Sequence, residues 1–135
     1  MPSNCLFCQI ASAKIPSCKV FEDDNFLAFL DISPVVVGHT LVIPKKHYRR
    51  VHQVKQFGKF WEVAQKVAQT QIAVFKSETV VFATAGFQVP HAHIHILPMP
   101  PKQKGEYLPG VESAKRIKVI PAELQKIASS LRKTL

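Results

Sequence analysis

The segment His91-Ala92-His93-Ile94-His95-Ile96-Leu97 constrains this chain more than any other. From His91 to Ile96 polar and apolar residues alternate, which is the period of a β-strand. On a strand the three histidines share one face and Ala92, Ile94 and Ile96 share the other. Same-face neighbours lie about 6.6–7 Å apart, twice the strand rise. The apolar face calls for a covering layer, and the histidine face can touch one extended ligand or divide between two tasks. Two chemistries suit such a row: a metal site using two of the histidines, or phosphate chemistry with a neutral imidazole as nucleophile.

The surrounding pattern predicts what this strand pairs with. Val20–Phe21 and Asn25–Asp31 read as strands joined by the acidic turn Glu22-Asp23-Asp24, and His39–Ile43 reads as a short strand between Gly38 and Pro44. Glu78–Thr84 and Ala92–Leu97 complete five. Between Gln53 and Lys76, apolar residues recur at helical spacing through Val54, Phe57, Trp61, Ala64, Val67 and Ala68, predicting one long amphipathic helix. Pro121 opens a final helix with Leu124, Ile127, Ala128 and Leu131 on one face. Short gaps between strands and segregated helices indicate an α+β fold on a five-stranded antiparallel sheet. The Pro-rich stretch Pro98–Pro109 reads as an exposed loop before the C-terminal segment.

At 135 residues the chain matches one domain. No apolar run approaches the roughly 20 residues of a membrane helix, and Met1–Ile10 lacks the basic start and apolar stretch of a signal peptide. The expectation is one cytoplasmic domain over residues 1–135. Its net charge of +9 is uneven. Residues 1–44 carry Lys14 and Lys19 against four acids, a balance of −2; residues 45–135 carry sixteen Lys and Arg against five Glu, a balance of +11. That bias favours anionic partners such as nucleotides or nucleic acid. No P-loop is present, which counts against a kinase.

Cys5-Leu6-Phe7-Cys8 is a C-x-x-C pair. In a reducing compartment it reads as a metal knuckle, a redox pair or two buried core thiols. No βαβ unit follows it, as a redox motif would require. A structural zinc needs four ligands, and without a second C-x-x-C the others must be histidine or carboxylate, drawn from His39, His47, His52 and the strand triplet. Cys18 reads as packing.

Three segments taken in order, Phe29-Leu30-Asp31-Ile32-Ser33-Pro34, then Gly38-His39-Thr40-Leu41-Val42-Ile43-Pro44-Lys45-Lys46-His47, then the histidine run at 91–97, resemble the histidine triad nucleotide-binding family. The match covers roughly residues 4–99, leaving 121–134 as a helical tail, and the C-x-x-C start resembles the family's zinc-carrying branch. The resemblance implies that His93 is the nucleophile, attacking the α-phosphorus of a nucleotide conjugate to form a nucleotidyl-imidazole that water resolves. It implies that His95 hydrogen-bonds phosphate or the departing group and that His39 lines the same cleft. Asp31 then matches the acid holding the ribose hydroxyls, and Phe7, Ile10, Phe29 and Ile32 the apolar slot for the base. Cys5, Cys8, His47 and His91 match the zinc ligands. The implied assembly is a homodimer with one continuous sheet, and Phe57, Phe60, Trp61 and Val74 crowd more than one face of the long helix, as an interface would require.

One stretch departs from the family. Before the triad the family commonly carries Asn, a Gly-rich loop and Gly-Gln-x-Val-x-His. Here Phe82-Ala83-Thr84-Ala85-Gly86-Phe87-Gln88-Val89-Pro90-His91 lacks the Asn, has a short loop, and places Phe87 where Gln is usual with Gln88 one place later. Either Gln88 and backbone N–H groups take over the phosphates, or the preferred substrate differs. The implied activity is a hydrolase or nucleotidyl transferase acting on purine nucleoside phosphoramidates or dinucleoside polyphosphates. The alternative class is a non-catalytic nucleotide sensor or nucleic-acid-binding module on the same fold, which would show a steep salt dependence with oligonucleotides instead of turnover.

Overall fold

The computed structural model describes residues 4–100 and 110–135. The first helix, α1 (Leu6–Ala11), is followed by β1 (Lys19–Glu22), β2 (Phe26–Leu30) and β3 (Thr40–Pro44). A single 3₁₀ turn at Val51–Gln53 leads to α2 (Phe57–Phe75), then β4 (Val80–Ala83), β5 (Ile94–Pro98) and α3 (Pro121–Thr134). The strands form one antiparallel sheet in the order β1-β2-β3-β5-β4. Every residue of β2, β3 and β5 is buried, because both faces of the central strands are covered.

One sheet face packs on α2 and α3. Ala28, Leu30, Val42, Ile94 and Ile96 meet Phe60, Val63, Ala64, Val67 and Ala68 of α2 and Leu124, Ile127, Ala128 and Leu131 of α3 in the main core. The buried residues of each helix recur at i, i+3, i+4 and i+7, so the sequence period and the buried stripe coincide. On the opposite face Leu27, Phe29, Leu41 and Ile43 pack against Cys5, Phe7, Cys8 and Ile10 from α1 and the residue before it. A third cluster joins Val35 and Leu97 to Val111 and Ala114, tying the approach to α3 onto the sheet.

Several boundaries differ from the sequence expectation. The long helix starts at Phe57 rather than Gln53, since 51–53 closes a 3₁₀ turn and Val54 is extended. It ends at Lys76, which caps it in the left-handed conformation (φ 56°). The last strand begins at Ile94, not Ala92; the Ala92 N–H donates to Tyr48 O outside the ladder, yet the alternation continues and Ala92 reaches the main core. Asp31 lies beyond the end of β2, and Asp23 Oδ1 accepts the Asn25 and Phe26 N–H groups to make the β1–β2 turn. The sequence reading missed α1, a six-residue helix whose N-cap is the Cys5 thiol rather than Ser, Thr, Asp or Asn. Of the proposed Pro-rich loop, residues 101–109 lie outside the described residues. Among the four crowded residues of α2, Phe60 is fully buried and Trp61 and Val74 pack partly on the core, while Phe57 stands exposed.

Candidate active site and metal centre

The register of the sheet assembles the histidines. Phe29 pairs with Leu41 and Leu41 with His95, so the α1-facing row of the sheet runs directly from the apolar cluster to the triad. One step beyond the ladder, the Asp31 N–H donates to His39 O, which brings the end of β2 beside the start of β3. His39, Asp31 and His95 therefore converge from three strands although 64 positions separate the first and last, 31 and 95. Gly38, just before His39, turns with φ +90° and lets the Phe75 ring of α2 pack close, since a Cβ there would meet that ring at 2.5 Å.

Hydrogen-bond partners assign the imidazole tautomers. The Val35 N–H donates to His39 Nδ1 at 3.1 Å, so His39 carries its proton on Nε2. That Nε2–H faces His95 Nδ1 at 2.9 Å, which makes His95 an acceptor on Nδ1 and leaves its proton on Nε2. His95 Nε2 is buried with no hydrogen-bond partner among the described residues. His93 is set the other way round: its Nδ1–H donates to His91 O at 2.6 Å, leaving a lone pair on Nε2. The His93 and His95 rings meet edge to face, 4.9 Å apart. A free lone pair and a free N–H donor thus sit on adjacent imidazoles.

Burial keeps these rings neutral. Desolvation pushes His39 and His95 down to about 3, and it lowers His93 as well, although His91 O and the acids Glu112 and Asp31 oppose the shift. Asp31 shifts upward through burial, against the pull of the Ser33 N–H and the Arg116 guanidinium. Its Oδ2 lies 3.8 Å from His39 Nε2 and 3.4 Å from Arg116.

Cys5, Cys8, His47 and His91 converge separately. Cys5 Sγ lies 3.3 Å from His91 Nδ1, and Cys8 Sγ lies 3.2 Å from His47 Nδ1 and 3.4 Å from His91 Nδ1. The two Nδ1 atoms are 3.2 Å apart. Zinc bonds of about 2.3 Å to sulfur and about 2.05 Å to nitrogen would place tetrahedral ligand atoms about 3.3–3.8 Å apart. The observed edges of 3.2–3.4 Å lie at or just under the short end of that range, so these four side chains fit a closed zinc site after a shift of a few tenths of an ångström. Pro44 O accepts the His91 Nε2–H at 2.8 Å, which turns the Nδ1 lone pair toward the thiols, the usual outer support of a metal histidine.

The remaining residues divide. Phe7 is buried against Phe29, His91 and His93, with ring centroids 5.7, 5.9 and 5.1 Å away, and Ile10 is buried in the same cluster. Ile32 is instead 74% exposed, and Gln88 is exposed with its N–H on Glu112. Cys18 packs in the main core and His52 is exposed. Sequence reading missed three polar residues. Arg116 reaches back to Asp31 and Ser33 O, Glu112 reaches the loop before the triad, and Gln71 is fully buried and bonds Gly38 O and Ile96 O, the residues next in sequence to His39 and His95. Gln71 had a signal, since it continues the apolar stripe of α2; Arg116 and Glu112 had none.

Residues 12–102 match the HIT domain family. Protein hit of Bacillus subtilis is 39% identical over 141 residues, covering 98% of this chain and 94% of that protein. An adenosine 5'-monophosphoramidase of Saccharomyces cerevisiae is 34% identical over 106 residues, covering 75% of this chain and 66% of that enzyme. A Zn-bound histidine triad family protein from Mycobacterium smegmatis superposes with a TM-score of 0.78 at 29% identity, covering 97% of this chain and 92% of that one. With its five-stranded sheet, its clustered histidines and these relatives, the chain belongs to the HIT domain family.

Proposed function

We propose that the chain is a nucleotide hydrolase or nucleotidyl transferase that attacks the α-phosphate of purine nucleotide conjugates through His93. The observation that carries this reading is the opposed setting of two neighbouring imidazoles: His93 offers an Nε2 lone pair, and His95 an unpartnered Nε2–H. His93 Nε2 gives its lone pair to phosphorus, and the bond to the leaving group breaks with its electron pair. The leaving amine takes a proton from water. The positive charge left on the nucleotidyl-imidazole is stabilised by His91 O through Nδ1–H. His95 supplies a fixed donor to the phosphoryl oxygens, and His39 holds it in that tautomer. Water then displaces the imidazole, releasing the nucleotide and a proton. Asp31 holds the ribose hydroxyls, and Phe7, Ile10 and Phe29 back the base, with Ile32 at the exposed end of that slot. The yeast relative named for phosphoramidate hydrolysis supports the substrate class.

The same reading extends to the rest of the chain. Cys5, Cys8, His47 and His91 would hold a structural zinc, tying down His91 two residues before His93, in a cytoplasm where the cysteines stay reduced. Residues 1–135 form one HIT-like domain. Its homodimer covers the exposed aromatic patch of Phe57 and Phe82 beside Trp61, at the edge strand β4, and extends the sheet across the pair.

Mass spectrometry of protein quenched during turnover of adenosine phosphoramidate tests the mechanism. An acid-labile nucleotide adduct on the peptide carrying His93 is expected, and His93→Ala should lose at least about a thousandfold in kcat while AMP affinity stays within about tenfold. Full activity in His93→Ala, or an adduct on Cys18 or a lysine, would refute it.

A further inference from the structure

The loop before the triad is built to receive an anion. Gly86 adopts a left-handed φ of +80°, and the next two N–H groups, of Phe87 and Gln88, turn to a single acceptor. Successive N–H groups after a left-handed residue form a concave nest for negative charge. The acceptor seated there is Glu112 Oε1, 3.1 Å from Phe87 N and 3.4 Å from Gln88 N. Glu112 comes from the segment leading into α3. That segment is anchored on both sides of it: Val111 and Ala114 are buried against Val35 and Leu97, and Arg116 binds Val111 O, Ser33 O and Asp31. The backbone is thus anchored, while the Glu112 carboxylate has only these two N–H groups as hydrogen-bond partners among the described residues. Gly86 also lines one cleft together with His91 and His93, which places this loop beside the triad.

We infer that Glu112 is a built-in competitor for the phosphate-binding loop before the triad: its carboxylate occupies the Phe87 and Gln88 N–H groups, and a nucleotide phosphate must displace it. The inference rests on the nucleotide reading above and names the group that answers the altered loop. Here backbone N–H groups, not the Gln88 side chain, take the anion, and a carboxylate of the same chain competes for them. A site occupied by its own side chain binds ligand more weakly by the fraction of time the seat is free. A carboxylate seated about nine-tenths of the time weakens phosphate binding about tenfold.

Calorimetric titration of AMP and of adenosine into the zinc-loaded wild type, Glu112→Ala and Glu112→Gln tests this. AMP should bind about tenfold tighter to Glu112→Ala and about threefold tighter to Glu112→Gln, which keeps an accepting oxygen but loses the charge. Adenosine, which has no phosphate, should bind all three alike. Should Glu112→Ala fail to fold, Glu112→Gln decides. If AMP affinity stays within twofold in the variants, or adenosine gains as much as AMP, the seat is overturned while turnover of adenosine phosphoramidate by the wild type leaves the His93 reading standing. Absence of both AMP binding and turnover in all three proteins would overturn that reading and the seat together.

Discussion

Gln71 offers a quantitative test of how the helix layer holds the triad. Its side chain is fully buried, and its Nε2 lies 3.1 Å from Gly38 O, 3.2 Å from Thr40 Oγ1 and 3.1 Å from Ile96 O. The amide has two hydrogens for three acceptors that flank His39 on both sides and adjoin His95. Gln71→Leu keeps the volume and removes both hydrogens. Two buried hydrogen bonds contribute about 1 kcal/mol each, and an acceptor left unmatched adds about 1 kcal/mol. Two features offset part of this. Gly38 O keeps the Thr40 hydroxyl at 2.8 Å, and Gln71 Oε1 is itself buried without a partner among the described residues, so leucine removes an unsatisfied atom as well. The balance is a loss of about 1–2 kcal/mol, which for a domain of this size lowers Tm by about 3–8 °C. Because the freed carbonyls border His39 and His95, turnover should fall about tenfold or more through misplacement of the His95 donor. Differential scanning calorimetry at pH 7.5 with zinc present, alongside turnover of adenosine phosphoramidate, measures both. A Gln71→Leu protein with Tm within 1 °C of wild type and unchanged turnover would show that the helix does not position these strands through this amide.

The metal centre and the neutral histidines give two further predictions. Purified without chelator, the protein should carry about one zinc per chain by elemental analysis; Cys8→Ser should lose that zinc and melt at a lower temperature, and a metal-free wild type would remove the site. Stability should also fall as pH drops. His39 and His95 titrate near 3 when folded against 6.5 ordinarily, so below about pH 6.5 the unfolded chain binds protons that the folded chain refuses. Their contribution is complete above that pH and is lost progressively toward pH 3, by about 3 kcal/mol for the pair at pH 5.5. Urea unfolding of wild type and His39→Gln between pH 7.5 and 5.5 checks the sign: the variant should lose less than the wild type, and parallel slopes would contradict it.

The legible part of the protein was the part that is periodic. Alternation at 91–97 and the 3.6-residue stripes of α2 and α3 follow from where side chains must point once a strand or helix forms, so the sheet, its covering helices and the triad face were readable from residue order. The C-x-x-C pair announced a metal-type site, but its own spacing did not name the other two ligands; the family likeness supplied them, and the fold brings them within 3.2–3.4 Å of the thiols. Local pattern was blind to α1, because a six-residue helix capped by a cysteine has too few turns to show a period. It was equally blind to contacts spanning the chain. Arg116 on Asp31 is 85 residues distant and Glu112 on Phe87 is 25, and nothing in either side chain's neighbours selects its partner. Those pairings exist because Val111 and Ala114 bury against Val35 and Leu97 and carry the two charges to the site. The tautomers of the triad are likewise tertiary: a histidine's sequence position states which ring is present, and only the Val35 N–H and the His91 carbonyl decide which nitrogen holds the proton.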